Sequence, residues 1–335
     1  MPDIQTNHVV TVKPSLATRM LDVLLDADQP TMIWGAPGIG KSQLVKQIAD
    51  RRGMKLIDVR LSLLSDVDLR GIPYTNNGRT EWAPPAFLPR TNGDTILFFD
   101  EMNRAMTSVM NAAFQIVLDR KLGEYELPPN VRIVAACNRE TDGGGITRIP
   151  SALLNRFTRI DIEPDHKDWL KWSAGAQIDP IVQAFIRFRP DLLHQFDAKA
   201  AAFPTPRAWE FVSKITAQDA PLDVKAALYA GTVGKAAGIE YIAFERAWRD
   251  LPSIAAILLH PDTSPIPSGV ATVYAVSNAL SHEMTTTNID AVMTYLDRLP
   301  AEYQVFAVSL ATGRDPSLAN TRRFITWASA HADLF

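Results

Sequence analysis

One eight-residue run, Gly35-Ala36-Pro37-Gly38-Ile39-Gly40-Lys41-Ser42, constrains this chain more than any other feature. It fits G-x-x-x-x-G-K-S. It follows the apolar stretch Thr31–Trp34, read as a buried strand, and it opens a helical pattern near Ser42–Arg51. The glycines let backbone N–H groups curl around phosphate oxygens, and a helix N-terminus adds favourable dipole charge. Lys41 is expected to reach β- and γ-phosphates, and the Ser42 hydroxyl to ligate Mg2+. Gly35 through Gln43 is therefore the expected nucleotide-binding segment.

A strand, a Gly-rich turn and a helix imply a mainly parallel sheet. The rest of the first half agrees. Lys55–Arg60, Thr95–Asp100, Arg132–Cys137 and Thr158–Ile162 read as strands, with helical spacing over Thr107–Asp119 and a short helix at Pro150–Asn155 opened by proline. Strands alternating with helices predict an α/β core with helices on both sheet faces. Beyond about Pro164 the pattern becomes all-helical: Asp168–Ala174, Pro180–Phe188, Pro206–Ala217, Leu222–Gly238, Ala243–Leu251, Ile289–Leu299, Ala301–Thr312 and Thr321–Ala332. Pro261–Gly269 reads as a loop.

Two further features carry chemistry. Ile96-Leu-Phe-Phe-Asp100-Glu101 is an apolar strand ending in two acids, 59 residues beyond Lys41. Asp100 is expected to hold the metal and Glu101 to activate a water against the γ-phosphate. Asn138 closes the next strand, where a tip amide can position that water; on its own it is equally an ordinary turn residue. Tyr74–Thr80 reads as a hairpin with Asn-Asn-Gly at its tip, and Gly123–Glu126 as a second, smaller one. Exposed Tyr74, Trp82 and Phe87 would suit contact with a partner; packing on the domain itself is the even alternative.

The chain resembles the AAA+ ATPases, and within them the MoxR branch, over roughly residues 8–215. The matching runs are GAPGIGKS, DLRG at 68–71, FFDEMNRA at 98–105, ELPPNVRIVAACN ending at Asn138, IPSALLNRF at 149–157 and TPRAW at 205–209. Met102 stands where the branch usually has Ile, and Asn155 where it has Asp. The resemblance implies an AAA+ core with a parallel sheet flanked by helices, followed by an extended all-α lid and C-terminal region. It implies residues 1–164 as the core, with a helix-2-type hairpin insert near 66–92. A lid at 165–238 follows, then a further helical region at 239–335. Asn138 matches sensor 1 and Arg207 sensor 2. Arg156 matches the arginine finger that completes a neighbour's site, with Arg159 the competing residue. Asn103 and Arg104 fall near the subunit interface in this family, or simply form the turn into the next helix.

The implied function is ATP hydrolysis with Mg2+ by a ring, expected to be a hexamer, that remodels or helps mature a client protein. The resemblance also implies a von Willebrand factor A-domain partner. Metal-chelatase and Rubisco-activase-like motor subunits use the same engine and stay open as alternatives, as does a nucleotide-switched module, against which Glu101 speaks. Net charge is −3 with no basic block, which disfavours a nucleic-acid motor. No run of about 20 apolar residues is present, so no membrane span is predicted. Residues 1–15 show no apolar signal core, and Cys137 is the only cysteine among 335 residues, which together predict a cytoplasmic protein without disulfides. The six histidines lack metal-ligand spacing, and Cys137 reads as inert core.

Overall fold

The computed structural model describes residues 10–90, 93–139, 142, 145–251 and 253–331. The reading of the first nine residues, His8, the Pro252 break and the end of the last expected helix at Ala332 fall outside these residues. The chain divides into two compact units. One holds the described residues up to Trp172 together with Leu193–Trp209; the other holds Ser173–Leu192 and the chain from Glu210 onward.

The first unit begins with β1 (Thr11–Val12), α1 (Pro14–Asp26), β2 (Thr31–Trp34), α2 (Lys41–Arg52), β3 (Lys55–Arg60) and α3 (Asp66–Arg70). The hairpin β4 (Ile72–Asn76) and β5 (Arg79–Ala83) follows, then β6 (Thr95–Asp100) and α4 (Thr107–Asp119). The small hairpin β7 (Lys121–Leu122) and β8 (Tyr125–Glu126) leads to β9 (Val131–Cys137), α5 (Ser151–Leu154), β10 (Thr158–Ile162) and α6 (His166–Gly175). Six strands form one sheet in the order β1-β10-β2-β9-β6-β3, and every pairing in it is parallel.

Because side chains alternate across a strand, each strand feeds two cores. Ile33, Ile96, Phe98, Val134, Ala136 and Ile160 pack with Leu21 of α1 and Val45 and Ile48 of α2. Met32, Leu97, Phe99, Ile133 and Ala135 pack on the other face with Val109, Met110 and Ile116 of α4. Every residue of β6 is buried, which is why it reads as an unbroken apolar run rather than an alternating one. Pro150 sits at the N-cap of α5, one place earlier than the sequence pattern suggests.

Asn77 and Gly78 at the β4–β5 tip both have positive φ (48° and 75°), as a type I′ turn requires. Tyr74 and Trp82 are exposed, and the Tyr74 hydroxyl donates to Glu81 at 2.7 Å. Phe87 follows the alternative of packing on the domain itself. It is half-buried against the α4 side of the core, so its apolar area is already used.

The second unit is helical: α7 (Pro180–Phe188), α8 (Pro206–Thr216, which starts in the first unit), α9 (Leu222–Val233) and α10 (Lys235–Arg249). Then come α11 (Ile254–Leu259), α12 (Val270–Glu283), α13 (Ile289–Leu296), α14 (Ala301–Arg314) and α15 (Arg322–Ala330). The expected single helix 222–238 is broken at Gly234 (φ 83°, ψ 157°), a conformation reserved for glycine. The reason lies in packing. A Cβ on Gly238 would stand 2.7 Å from the Ala230 backbone nitrogen, so the chain must reverse early for α10 to lie against α9. Helix α12 escaped the sequence reading because Ala275, Val276, Ser277, Asn278, Leu280 and Ser281 are all buried, and a helix covered on most sides shows no stripe. Its core partners include Ile257, Val292, Leu296, Val308 and Trp327.

Candidate functional site

The site is assembled at the C-terminal ends of β2, β6 and β9, the edge where parallel sheets of this class present ligand groups. β2 delivers the glycine-rich turn. Gly35 N–H donates to the Cys137 carbonyl (3.3 Å), continuing the β2–β9 ladder by one residue. A Cβ on Gly35 would lie 2.8 Å from the Ile162 carbonyl oxygen, so only glycine fits there. Gly38 (φ 78°) is confined differently: its added Cβ would meet Thr205 at 2.9 Å. Gly40 (φ 92°) has open space, so there the left-handed conformation alone selects glycine. Ala36 and Ile39 are buried, Pro37 is half-buried, and Gln43 is exposed on the first turn of α2.

Lys41 Nζ folds back over the turn. It donates to the carbonyls of Gly35 (2.7 Å) and Ala36 (3.0 Å) and to Asn138 Oδ1 (2.9 Å). Burial pushes its pKa down to about 8, opposed by the charges of Asp100 and Asp142 and reinforced by that of Arg207. Ser42 Oγ donates to Asp100 Oδ2 at 2.8 Å, so the two residues expected to ligate a metal are in contact. Asp100 Oδ1 accepts the Glu101 N–H (2.9 Å). Glu101 itself has φ 53° and ψ 37°, an uncommon conformation for a residue with a side chain, and it turns the carboxylate out of the strand line. Its Oε2 accepts from Ser62 Oγ at 2.5 Å, a partner with no signal in the sequence.

Asn138 lies one residue past β9, almost fully buried, with its side chain on Lys41. Arg207 opens α8. Its N–H donates to the Gly38 carbonyl (3.2 Å), while Thr205 Oγ1 caps the same helix at Ala208 N–H (3.0 Å). Asn103 is also part of this cluster, buried against the Asn138 backbone. Its sequence context alone fits either a subunit interface or the turn into α4.

Arg156 stands apart from this cluster, exposed just beyond α5, and among the described residues its guanidinium has no hydrogen-bond or ion-pair partner. Arg159 is engaged within its own chain. It forms a bidentate pair with Asp161 (2.6 and 3.0 Å), and its guanidinium lies 4.4 Å from the centre of the Trp34 ring. Cys137 is fully buried and pushed up to about 12 by desolvation, consistent with inert core. No group of three or more His, Cys, Asp or Glu side chains gathers as a metal cage among the described residues. No helix there is long and apolar enough to cross a membrane.

Residues 30–157 match the AAA domain of the dynein-related subfamily. Midasin of Dictyostelium discoideum is 27% identical over 216 residues, covering 58% of this chain and 4% of that protein. Protein MoxR of Methylorubrum extorquens is 28% identical over 149 residues, covering 42% of each. The chain thus spans less than half the length of these curated relatives. Among solved structures, NtrX of Brucella abortus in complex with ADP aligns over 97% of this chain and 68% of that one, with 14% identity and a TM-score of 0.41. The matched residues 30–157 include β2, β6 and β9, whose C-terminal ends bring Lys41, Ser42, Asp100 and Asn138 together. Residues 30–157 thus match an AAA domain of the dynein-related subfamily, and over part of its length the chain is similar to a MoxR protein.

Proposed function

We propose that the chain is a Mg2+-dependent ATPase that acts as a ring and uses hydrolysis to remodel or mature a partner protein. The observation that carries the reading is the convergence at the glycine-rich turn, where Ser42 Oγ meets Asp100 at 2.8 Å and Lys41 Nζ meets Asn138 at 2.9 Å. Phosphate oxygens would replace the Gly35 and Ala36 carbonyls as acceptors for Lys41, and backbone N–H groups of the turn would hold the rest.

The donor set suits Mg2+. Ser42 and Asp100 are adjacent hard oxygens, and Mg2+ commonly takes one or two protein oxygens plus substrate phosphates rather than an all-protein cage. Those two residues would hold it, and when bound it neutralises charge on the β- and γ-phosphate oxygens. Glu101 takes the proton of the attacking water as the new O–P bond forms and the bond to the β–γ bridging oxygen breaks, releasing ADP and phosphate. Ser62 orients the carboxylate for that transfer. Arg207, whose charge is felt at Lys41, adds positive potential beside the phosphates. Arg156 is assigned to the finger role because it is exposed and uncommitted, whereas Arg159 is held by Asp161. A finger acting on a neighbour's nucleotide requires a ring. The client and a von Willebrand factor A-domain partner belong to the proposal through the family resemblance.

The test is Glu101→Gln. It keeps size and hydrogen bonding and removes the base, so ATP binding should persist while turnover falls by about 100-fold or more. Unchanged turnover would remove Glu101 from the chemistry.

A further inference from the structure

Asn103 follows the two acids by two residues, inside the 3-10 turn Met102–Arg104, and is completely buried. Its amide spans the backbone of Asn138: Nδ2 donates to the Asn138 carbonyl at 2.7 Å, and Oδ1 accepts the Asn138 N–H at 3.1 Å. The position explains the need. The β6–β9 register ends at Phe99 and Ala135, because Glu101 turns the chain away from the sheet. Beyond that point the β9 backbone has no β6 ladder to pair with. The Asn103 side chain supplies a substitute rung for one residue, and that residue is the one whose Oδ1 touches Lys41. Only a side chain with a donor and an acceptor on one planar group can serve both sides of that rung.

The Asn103 backbone is committed as well. Its carbonyl accepts the Thr147 N–H at 2.7 Å, and Thr147 Oγ1 lies 3.5 Å from the Ala105 carbonyl. Thr147 is followed by buried Ile149 and Leu153, and then by Arg156. One short turn, tied covalently to Asp100 and Glu101, therefore holds both the Asn138 backbone and the segment leading to Arg156.

We propose that Asn103 is a positioning residue for hydrolysis: it fixes Asn138 relative to Glu101 and Lys41, and it registers the Arg156 segment on the same turn. The proposal rests on the ATPase reading above. It acts on the geometry of the attacking water and not on nucleotide affinity, because Asn103 faces the Asn138 backbone and not the glycine-rich turn.

The experiment compares wild type with Asn103→Ala, Asn103→Asp, Asn138→Ala and the Asn103→Ala/Asn138→Ala double variant. It reads ATP Kd, kcat, KM and Tm on the full chain. Asn103→Ala should lower kcat by about 10- to 100-fold, the scale of a small misplacement near the reacting atoms, with ATP Kd within about threefold of wild type. Asn103→Asp keeps an acceptor for the Asn138 N–H but places an oxygen against its carbonyl, so kcat should fall between the two. In the Asn138→Ala background, Asn103→Ala should add less than about threefold, since residues acting as one unit are non-additive. A full additive loss, or a loss of Kd in step with kcat, would assign Asn103 to folding alone and overturn the proposal. If Asn103→Ala does not fold, Asn103→Asp and its double with Asn138→Ala carry the same comparison. A wild type that hydrolyses ATP beside unaffected variants overturns only the Asn103 role. A wild type that binds ATP without hydrolysing it overturns both readings.

Discussion

The depressed pKa of Lys41 gives nucleotide binding a defined pH dependence. Lys41 sits against two carbonyls and an amide, and burial pushes it down to about 8 from an ordinary 10.5. Phosphates contacting the ammonium favour the charged form, so the bound lysine holds its proton well above pH 8. Binding above pH 8 must then include proton uptake. The competent, protonated fraction follows 1/(1 + 10^(pH−8)): roughly 0.9 at pH 7 and roughly 0.09 at pH 9. Kd for ATP should therefore rise about tenfold between pH 7 and pH 9, equivalent to about 1.4 kcal/mol. Calorimetric titration at constant free Mg2+, in buffers of differing ionisation enthalpy, reads both the affinity and the protons taken up. Lys41→Arg keeps its charge throughout and should bind with a flat profile, whatever its absolute affinity. A flat wild-type profile from pH 7 to 9, or the same slope in the Arg variant, would refute the reasoning. The sign for folding is the reverse of the sign for binding. Between about pH 8 and 10.5 the unfolded lysine holds more protons than the folded one, so this group's contribution to ligand-free stability rises with pH through that window.

Arg156→Ala and Arg159→Ala should separate cleanly. The Arg156 guanidinium has no hydrogen-bond or ion-pair partner among the described residues, so its loss should leave Tm within about a degree while lowering turnover of the assembled protein by about 1000-fold or more. Arg159→Ala strands the almost fully buried Asp161 carboxylate, so it should cost about 2 kcal/mol in urea denaturation. Arg156→Ala leaving turnover intact would move the finger elsewhere. In the helical unit, Glu245 is completely buried and accepts from Tyr229 (2.7 Å), Arg249 (2.7 and 3.0 Å) and Lys225 (3.4 Å). Glu245→Gln removes the charge that buried Lys225 faces and should cost about 3 kcal/mol. A change below about 0.5 kcal/mol would mean that the Thr216 carbonyl, 2.9 Å from Lys225 Nζ, suffices alone.

Much of the fold was legible because its signals are local. The turn 35–42 needs glycine at places set by its own backbone, and β2, β3, β6, α4 and β10 begin and end where their apolar patterns do. The helical half was less legible. The break at Gly234 answers to the contact between Gly238 and Ala230, and α12 is buried on too many sides to show a period. Neither cause can be read along the chain.

The same division runs through the site. Sequence by itself determined which groups are present: a phosphate-binding turn, two acids at a strand end, an amide at the next strand end and arginines farther on. Those follow from residue type, spacing and family resemblance. Only the tertiary structure decided which of them act together. It set Ser42 against Asp100 across 58 residues of chain and Lys41 against Asn138 across 97. It brought Ser62 to Glu101 and Asn103 to the Asn138 backbone, contacts that no spacing along the chain announces. It also distinguished two arginines three residues apart, because β10 places Arg159 beside Asp161 and Trp34 while Arg156 lies on the turn before the strand. Sheet register and the packing of distant segments create these contacts, so no local pattern in the chain encodes them.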